Sequence, residues 1–200
     1  MTDSFERKLV TGLILAGGAG RRVGGQDKGL LPWHGQPLVQ HVVQRLTPQV
    51  GKLLISCNRN QQRYLDYAPT LVTDKRSDYQ GPLAGLEASL ATIDTPWICM
   101  VACDVPDLPC DLVSRLYMSM NLPDTSPDVT PIACAHDGER AQFLCALLRR
   151  ECIASVSQYL DSGQRSVGGW YHSQGLLEVD FADQPDAFLN LNAIQQDSPA

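Results

Sequence analysis

The residues best suited to phosphate chemistry crowd into one stretch, LILAGGAGRRVGGQDKG, from Leu13 to Gly29. There six glycines, Arg21, Arg22, Asp27 and Lys28 directly follow a short apolar run. Glycine lets a backbone N–H approach a phosphate oxygen with no Cβ in the way. Guanidinium and ammonium groups nearby neutralise the charge. Spacing excludes the two commonest phosphate loops. A dinucleotide fingerprint counted from Gly18 needs a glycine where Val23 stands, and a P-loop needs Gly-Lys-Ser/Thr where Asp27-Lys28-Gly29 stands. A phosphate cradle of another kind is one reading; a plain tight turn after a strand is the other.

Three more polar positions close apolar runs: Ser56 to Arg59, Asp74 and Asp104. Ligands of an open parallel sheet sit outside the carboxyl ends of its strands, so these positions carry weight that polar residues elsewhere do not. Asp104 ends WICMVACD just before Val105-Pro106. A lone carboxylate there suits Mg²⁺, which takes one or two hard protein oxygens and fills its shell with water and substrate phosphate. Its other reading is a cap on the following turn. Asp74 fits either a contact to a base or a solvated turn.

The elements that must hold these residues follow from hydrophobic period. Leu13 to Ala16, KLLISC (52–57), TLVTD (70–74) and WICMVACD (97–104) read as strands covered on both faces. Helices are expected over PLVQHVVQRL, which sets Leu38, Val39, Val42, Val43 and Leu46 on one face, over QQRYLDY, over 81–93 and over CDLVSRLYMSM. Beyond the proline-rich NLPDTSPDVTP, the runs VTPIACA and FLCALL are expected to pair antiparallel across HDGER. A helix then spans Glu151 to Leu160, and LLEVDF (176–181) is a late strand. GQRSVGG (163–169) reads as a surface loop or as a clamp acting through Arg165. Alternating strand and helix predict an α/β fold around a mostly parallel sheet, with an antiparallel C-terminal extension.

Two hundred residues suit one domain spanning 1–200, with an ordered core over about 11–194. A net charge of −6 argues against a broad nucleic-acid-binding face. There is no signal-peptide pattern and no membrane-spanning run, so the cytoplasm is the expected setting. The seven cysteines lack metal-ligand spacing and read as reduced, mostly buried thiols. Trp33, Trp97, Trp170 and the four histidines are scattered, which favours packing over stacking or ligation.

Taken in order, LAGGAGRRVGGQDKG, DYQGPLAG, ACDVP and FLNLN resemble the molybdenum cofactor guanylyltransferases, a family of Rossmann-like three-layer nucleotidyltransferases. The likeness runs from about Leu13 to Asn192. It implies that Leu15, Ala16, Gly17 and Gly18 contact GTP, and that Arg22, Gly25 and Lys28 surround its phosphates. Ser56, Asp74 and Gly85 would lie in the nucleotide pocket, and Asp104 would hold Mg²⁺. Asn190 and Asn192 would place the pterin or the reacting phosphates. Arg22, Lys28 and Asp104 form the implied catalytic set. The implied substrates are GTP and molybdopterin or molybdenum cofactor, with transient contact to cofactor-delivery or acceptor proteins. LAGG in place of the LAAG usual in cytidylyltransferases favours guanine. Val23 replaces the family's usual methionine, and Ser56 stands where an asparagine is common. The rival expectations are a cytidylyl- or sugar-phosphate nucleotidyltransferase on the same fold, and a silent nucleotide-binding module.

Overall fold

The computed structural model describes residues 5–18, 24–77, 80–121 and 130–191. The run ahead of the glycine-rich stretch is β1 (Val10–Leu15). After a 3-10 turn over Lys28–Leu30 comes a short ribbon, β2 (Pro32–Trp33) against β3 (Gln36–Pro37), leading into α1 (Leu38–Leu46). Next come β4 (Lys52–Ser56), α2 (Gln61–Tyr64), β5 (Thr70–Val72), α3 (Pro82–Ser89), β6 (Trp97–Ala102) and α4 (Leu112–Met120). The last part of the chain forms β7 (Ile132–His136), β8 (Ala141–Arg149), α5 (Ala154–Asp161), α6 (Val167–Gln174) and β9 (Leu176–Asp180).

The seven-stranded sheet has the order β5-β4-β1-β6-β8-β7-β9. Its first four strands are mutually parallel, and β8 runs antiparallel to both β6 and β7. Strand β9 then adds parallel to β7. The expected architecture therefore forms. The chain starts in the middle of the sheet, moves outward through β4 and β5, then crosses back to place β6 on the other side of β1.

Alternation along the strands splits the core into two layers. Ile14, Ile55, Cys99 and Val101 face Val39, Val42 and Leu46 of α1 and Leu112 and Leu116 of α4. Leu13, Leu54, Ile98 and Met100 face Leu83 and Leu86 of α3, Val156 and Leu160 of α5, and Trp170 of α6. All six residues of β6 are buried, as a strand covered on both faces requires. Pro82 opens α3 at a position whose N–H would have no helical partner anyway.

The expected loop over 163–169 is corrected in part, because Val167, Gly168 and Gly169 form the first turn of α6. Ser166 caps that turn, its hydroxyl accepting from Gly169 N at 3.1 Å. A Cβ on Gly168 would stand 2.6 Å from the Phe143 ring, and one on Gly169 2.6 Å from Tyr159 Oη, so both glycines serve close packing. Among the described residues, no helix is long and apolar enough to cross a membrane.

Candidate active site

Register brings the candidate residues together. Leu15 pairs with Ser56 on one side and Ala102 on the other, and Ser56 pairs with Val72, so four parallel strands end in one line. The ladder continues one residue further through Ala16 N to Ser56 O (2.8 Å), Cys57 N to Val72 O (2.9 Å) and Cys103 N to Leu15 O (3.2 Å). Gly17, Asn58, Asp74 and Asp104 thus leave the same edge. The crevice between β1 and β6, where the order of connection reverses, is where an open α/β sheet takes a ligand.

Lys28 and Asp104 meet across that crevice. The Lys28 ammonium donates to Asp104 Oδ2, and both side chains are largely covered. Lys28 opens the 3-10 turn that returns the glycine-rich stretch to the core, where Gly29 and Leu30 are buried. Gly18 and Gly25 are exposed, and Gly24 and Gly25 take φ of +62° and +81°, a region that favours glycine. From the other end of the chain, Leu191 N donates to Asp104 O at 3.1 Å, which sets exposed Asn190 next to the site. Arg22 and Asn192 lie outside the described residues.

Asp74 is held by a residue that the sequence reading did not single out. Asn58 Nδ2 donates to Asp74 Oδ2 at 2.8 Å and to Gly17 O at 3.0 Å, while its Oδ1 accepts from Asp74 N at 3.0 Å. Burial lifts the Asp74 carboxyl above the ordinary carboxylate range, against the opposing pull of Asn58 and Ser56. Asp74 Oδ1 is buried and has no donor in hydrogen-bond geometry among the described residues.

Ser56 is almost fully buried beneath α3. A Cβ on Gly85 would stand 2.6 Å from Ser56 Oγ and 3.0 Å from Leu15 Cδ2. Gly85 therefore lets α3 sit directly over the ends of β1 and β4. Asn58 and Arg59 lie within the stretch Ser56 to Arg59, and Asn60 follows it; the signal in the sequence is three polar residues in the turn after a buried strand.

Asp27, ahead of Lys28, is also anchored. It is 9% exposed, and its carboxylate accepts from Tyr64 Oη at 2.6 Å and Asn60 Nδ2 at 2.9 Å. Burial foremost, helped by Asp27 itself, keeps the Tyr64 hydroxyl protonated and therefore a donor. Burial, then Asp27 and Asp74, push the Cys57 thiol up to about 11, which favours its protonated form at neutral pH.

Among the described residues, no group of three or more His, Cys, Asp and Glu side chains is placed to hold a metal. A single carboxylate such as Asp104 could hold a hard divalent ion that shares its shell with phosphate, and its Oδ2 accepts here from the Lys28 ammonium. Arg165 donates to Leu160 O, to Gln164 O and to the Gln80 side chain. Six of the seven cysteines are buried, and all seven are free thiols. Trp97 and Trp170 are buried in the core, and His41 Nε2 bonds Trp33 O at 2.8 Å.

Residues 12–175 match the family described as MobA-like NTP transferase domain. A molybdenum cofactor guanylyltransferase of Shewanella sediminis is 39% identical over 187 residues, covering 94% of this chain and 93% of its own. One from Shewanella halifaxensis is 38% identical, with 94% and 91% covered. Among solved structures, molybdopterin-guanine dinucleotide biosynthesis protein A of Archaeoglobus fulgidus aligns with a TM-score of 0.72 at 18% identity, covering 92% of each chain. A 4-diphosphocytidyl-2C-methyl-D-erythritol synthase of Anaerococcus prevotii aligns at 0.66 and 9%, covering 95% of this chain and 92% of the other. These two likenesses speak to the fold alone.

Proposed function

Because the chain belongs to the MobA-like NTP transferase family, we propose that it transfers GMP from GTP to the terminal phosphate of molybdopterin or molybdenum cofactor, releasing pyrophosphate. The observation that carries this reading is the meeting of Lys28 and Asp104 at the switch point of the sheet, beside the glycine-rich stretch. The nucleophile is already an anionic phosphate, so no general base is needed. Alignment and cancellation of charge remain for the protein to supply.

Each part of that work has a candidate residue, with Arg22 and Asn192 named by the resemblance alone. Leu15, Ala16, Gly17, Gly18 and Gly25 offer backbone to the nucleotide, and Arg22 and Lys28 neutralise its phosphates. Asp104 would hold Mg²⁺, which supplies charge neutralisation on the phosphates when bound. Asn190, and Asn192 beyond it, would orient the acceptor. We infer a cytoplasmic setting from the seven free thiols.

Asp74 offers a physical reason for choosing guanine. Its buried carboxylate suits the paired N1–H and 2-amino donors of guanine, whereas cytosine offers one 4-amino donor beside an N3 acceptor. Among the described residues, no atom lies within 4 Å of a Cβ built on Gly18, an opening that suits a purine. The test pairs purified protein and Mg²⁺ with molybdopterin and each of GTP, CTP, ATP and UTP. Pyrophosphate release that needs both GTP and the pterin is expected. Equal release from CTP would overturn the base assignment, and GTP binding without turnover would turn the site into a silent binding module.

A further inference from the structure

Arg59 lies just beyond β4 and takes three carbonyls of the glycine-rich stretch. Its Nη1 donates to Gly25 O at 2.6 Å, and its Nη2 donates to Gln26 O at 2.7 Å and to Gly18 O at 3.3 Å. Its Nε faces Asp27 Oδ2 at 3.8 Å. Asp27 is itself fastened by Tyr64 and Asn60, which fixes a carboxylate beside the guanidinium. One side chain thus joins the chain at Gly18 to the chain at Gly25 and Gln26.

We propose that Arg59 is a positioning residue for triphosphate binding, a carbonyl clasp that never touches the nucleotide. The reason lies in the trans peptide, whose C=O and following N–H point in opposite directions. The described residues contain no cis peptide bond. Gathering the carbonyls of Gly25 and Gln26 on the Arg59 side therefore turns the N–H groups of Gln26 and Asp27 to the opposite side. Consecutive N–H groups turned one way make a nest for an anion. The next residue is Lys28, whose ammonium is held over the crevice by Asp104. Arginine suits the task and lysine does not, because a planar fork can bridge several carbonyls in fixed geometry while an ammonium is one compact point. The clasp rests on the nucleotidyl-transfer reading only in naming a triphosphate as the anion.

The test titrates wild type, Arg59→Ala and Arg59→Lys by calorimetry with Mg·GTP, Mg·CTP, GMP and guanosine, and follows the thermal midpoint and the split of kcat and KM. For the triphosphate that wild type binds, both variants are expected to lose about tenfold or more in affinity, the scale of one charge-assisted contact. Guanosine affinity should stay within about twofold of wild type, since Asp74, the residue assigned to the base, is held by Asn58 and not by Arg59. The loss should fall mainly on KM in Arg59→Lys, which retains the cation and serves as the deciding variant if Arg59→Ala does not fold. Wild-type triphosphate affinity in Arg59→Lys would overturn the clasp, as would equal losses for GTP and guanosine, which indicate a collapsed pocket. Preference of the wild type for Mg·CTP would overturn the guanine assignment and leave the clasp standing.

Discussion

Lys28 and Asp104 lie 76 residues apart in sequence and form an ion pair in the crevice between β1 and β6. The carboxylate proposed to hold Mg²⁺ is therefore paired with the Lys28 ammonium. Moving Lys28 from that oxygen to the triphosphate would free the whole carboxylate for a doubly charged ion. Metal and nucleotide are thus expected to bind together. Electron paramagnetic resonance of Mn²⁺ should show weak binding to the wild type alone and tight binding once GTP is added. Lys28→Ala should bind Mn²⁺ better than wild type without nucleotide, yet turn over about a hundredfold or more slowly, the usual cost of losing one transition-state charge contact. Tight Mn²⁺ binding to the wild type in the absence of GTP would contradict this exchange.

Asp74 makes an opposite contribution to stability and to binding. Its pKa is raised in the folded chain, chiefly by burial. The sign follows from linkage: the folded state binds this proton more readily than the unfolded state, so the stabilisation is full below the unfolded pKa and is lost as pH rises through the folded one. At neutral pH the ionised carboxylate therefore costs stability, and Asp74→Asn is expected to melt at the same or a higher temperature than wild type, with the gap closing in acid. The same substitution places an amide where Oδ1 would face guanine, and GTP affinity should fall by about tenfold to a hundredfold. Melting curves from pH 3 to 8 and calorimetry at pH 7.5 check both halves; a destabilised Asp74→Asn at neutral pH would show that the carboxylate holds the edge together instead.

Gly85 should tolerate no side chain while Ser56 is present. A methyl there would stand 2.6 Å from Ser56 Oγ and 3.0 Å from Leu15 Cδ2, both in buried surroundings. Gly85→Ala is expected to cost about 1–3 kcal/mol in urea denaturation, the range of an overpacked core. Adding Ser56→Ala removes the nearest atom and should return part of the loss, a coupling that a double-mutant cycle reads directly. Additive effects would mean that α3 shifts off the sheet without pressing on Ser56.

Much of the frame was legible from local pattern. The four parallel strands were visible as short apolar runs, and the pairing of β7 with β8 followed from two such runs around Asp137 and Gly138. Helix α6 was not legible. VGGWYHSQ carries two adjacent glycines, each of which costs a helix about 1 kcal/mol relative to alanine. Tertiary packing overrides that penalty, since Trp170 and Tyr171 are fully buried and Phe143 and Tyr159 occupy the space that side chains at Gly168 and Gly169 would need. Strand β9 was legible as a strand, but its parallel seat beside β7 was not.

At the candidate site the division is similar. Lys28, Asp74 and Asp104 could be picked out because each stands where an apolar run or a glycine-rich turn meets polar chain, and that is a property of neighbouring residues. Asn58, Arg59 and Tyr64 could not be given their tasks in the same way. Their partners are Asp74, Gly25 and Asp27, which come near only when β1, β4 and β5 lie in register. Residue type and local period are written in the chain, so the sequence by itself determined which side chains are available for phosphate and metal chemistry and which segments bury. Hydrogen bonds between side chains and distant carbonyls depend on strand order and register, contacts between residues far apart in the chain, and these only the tertiary structure decided.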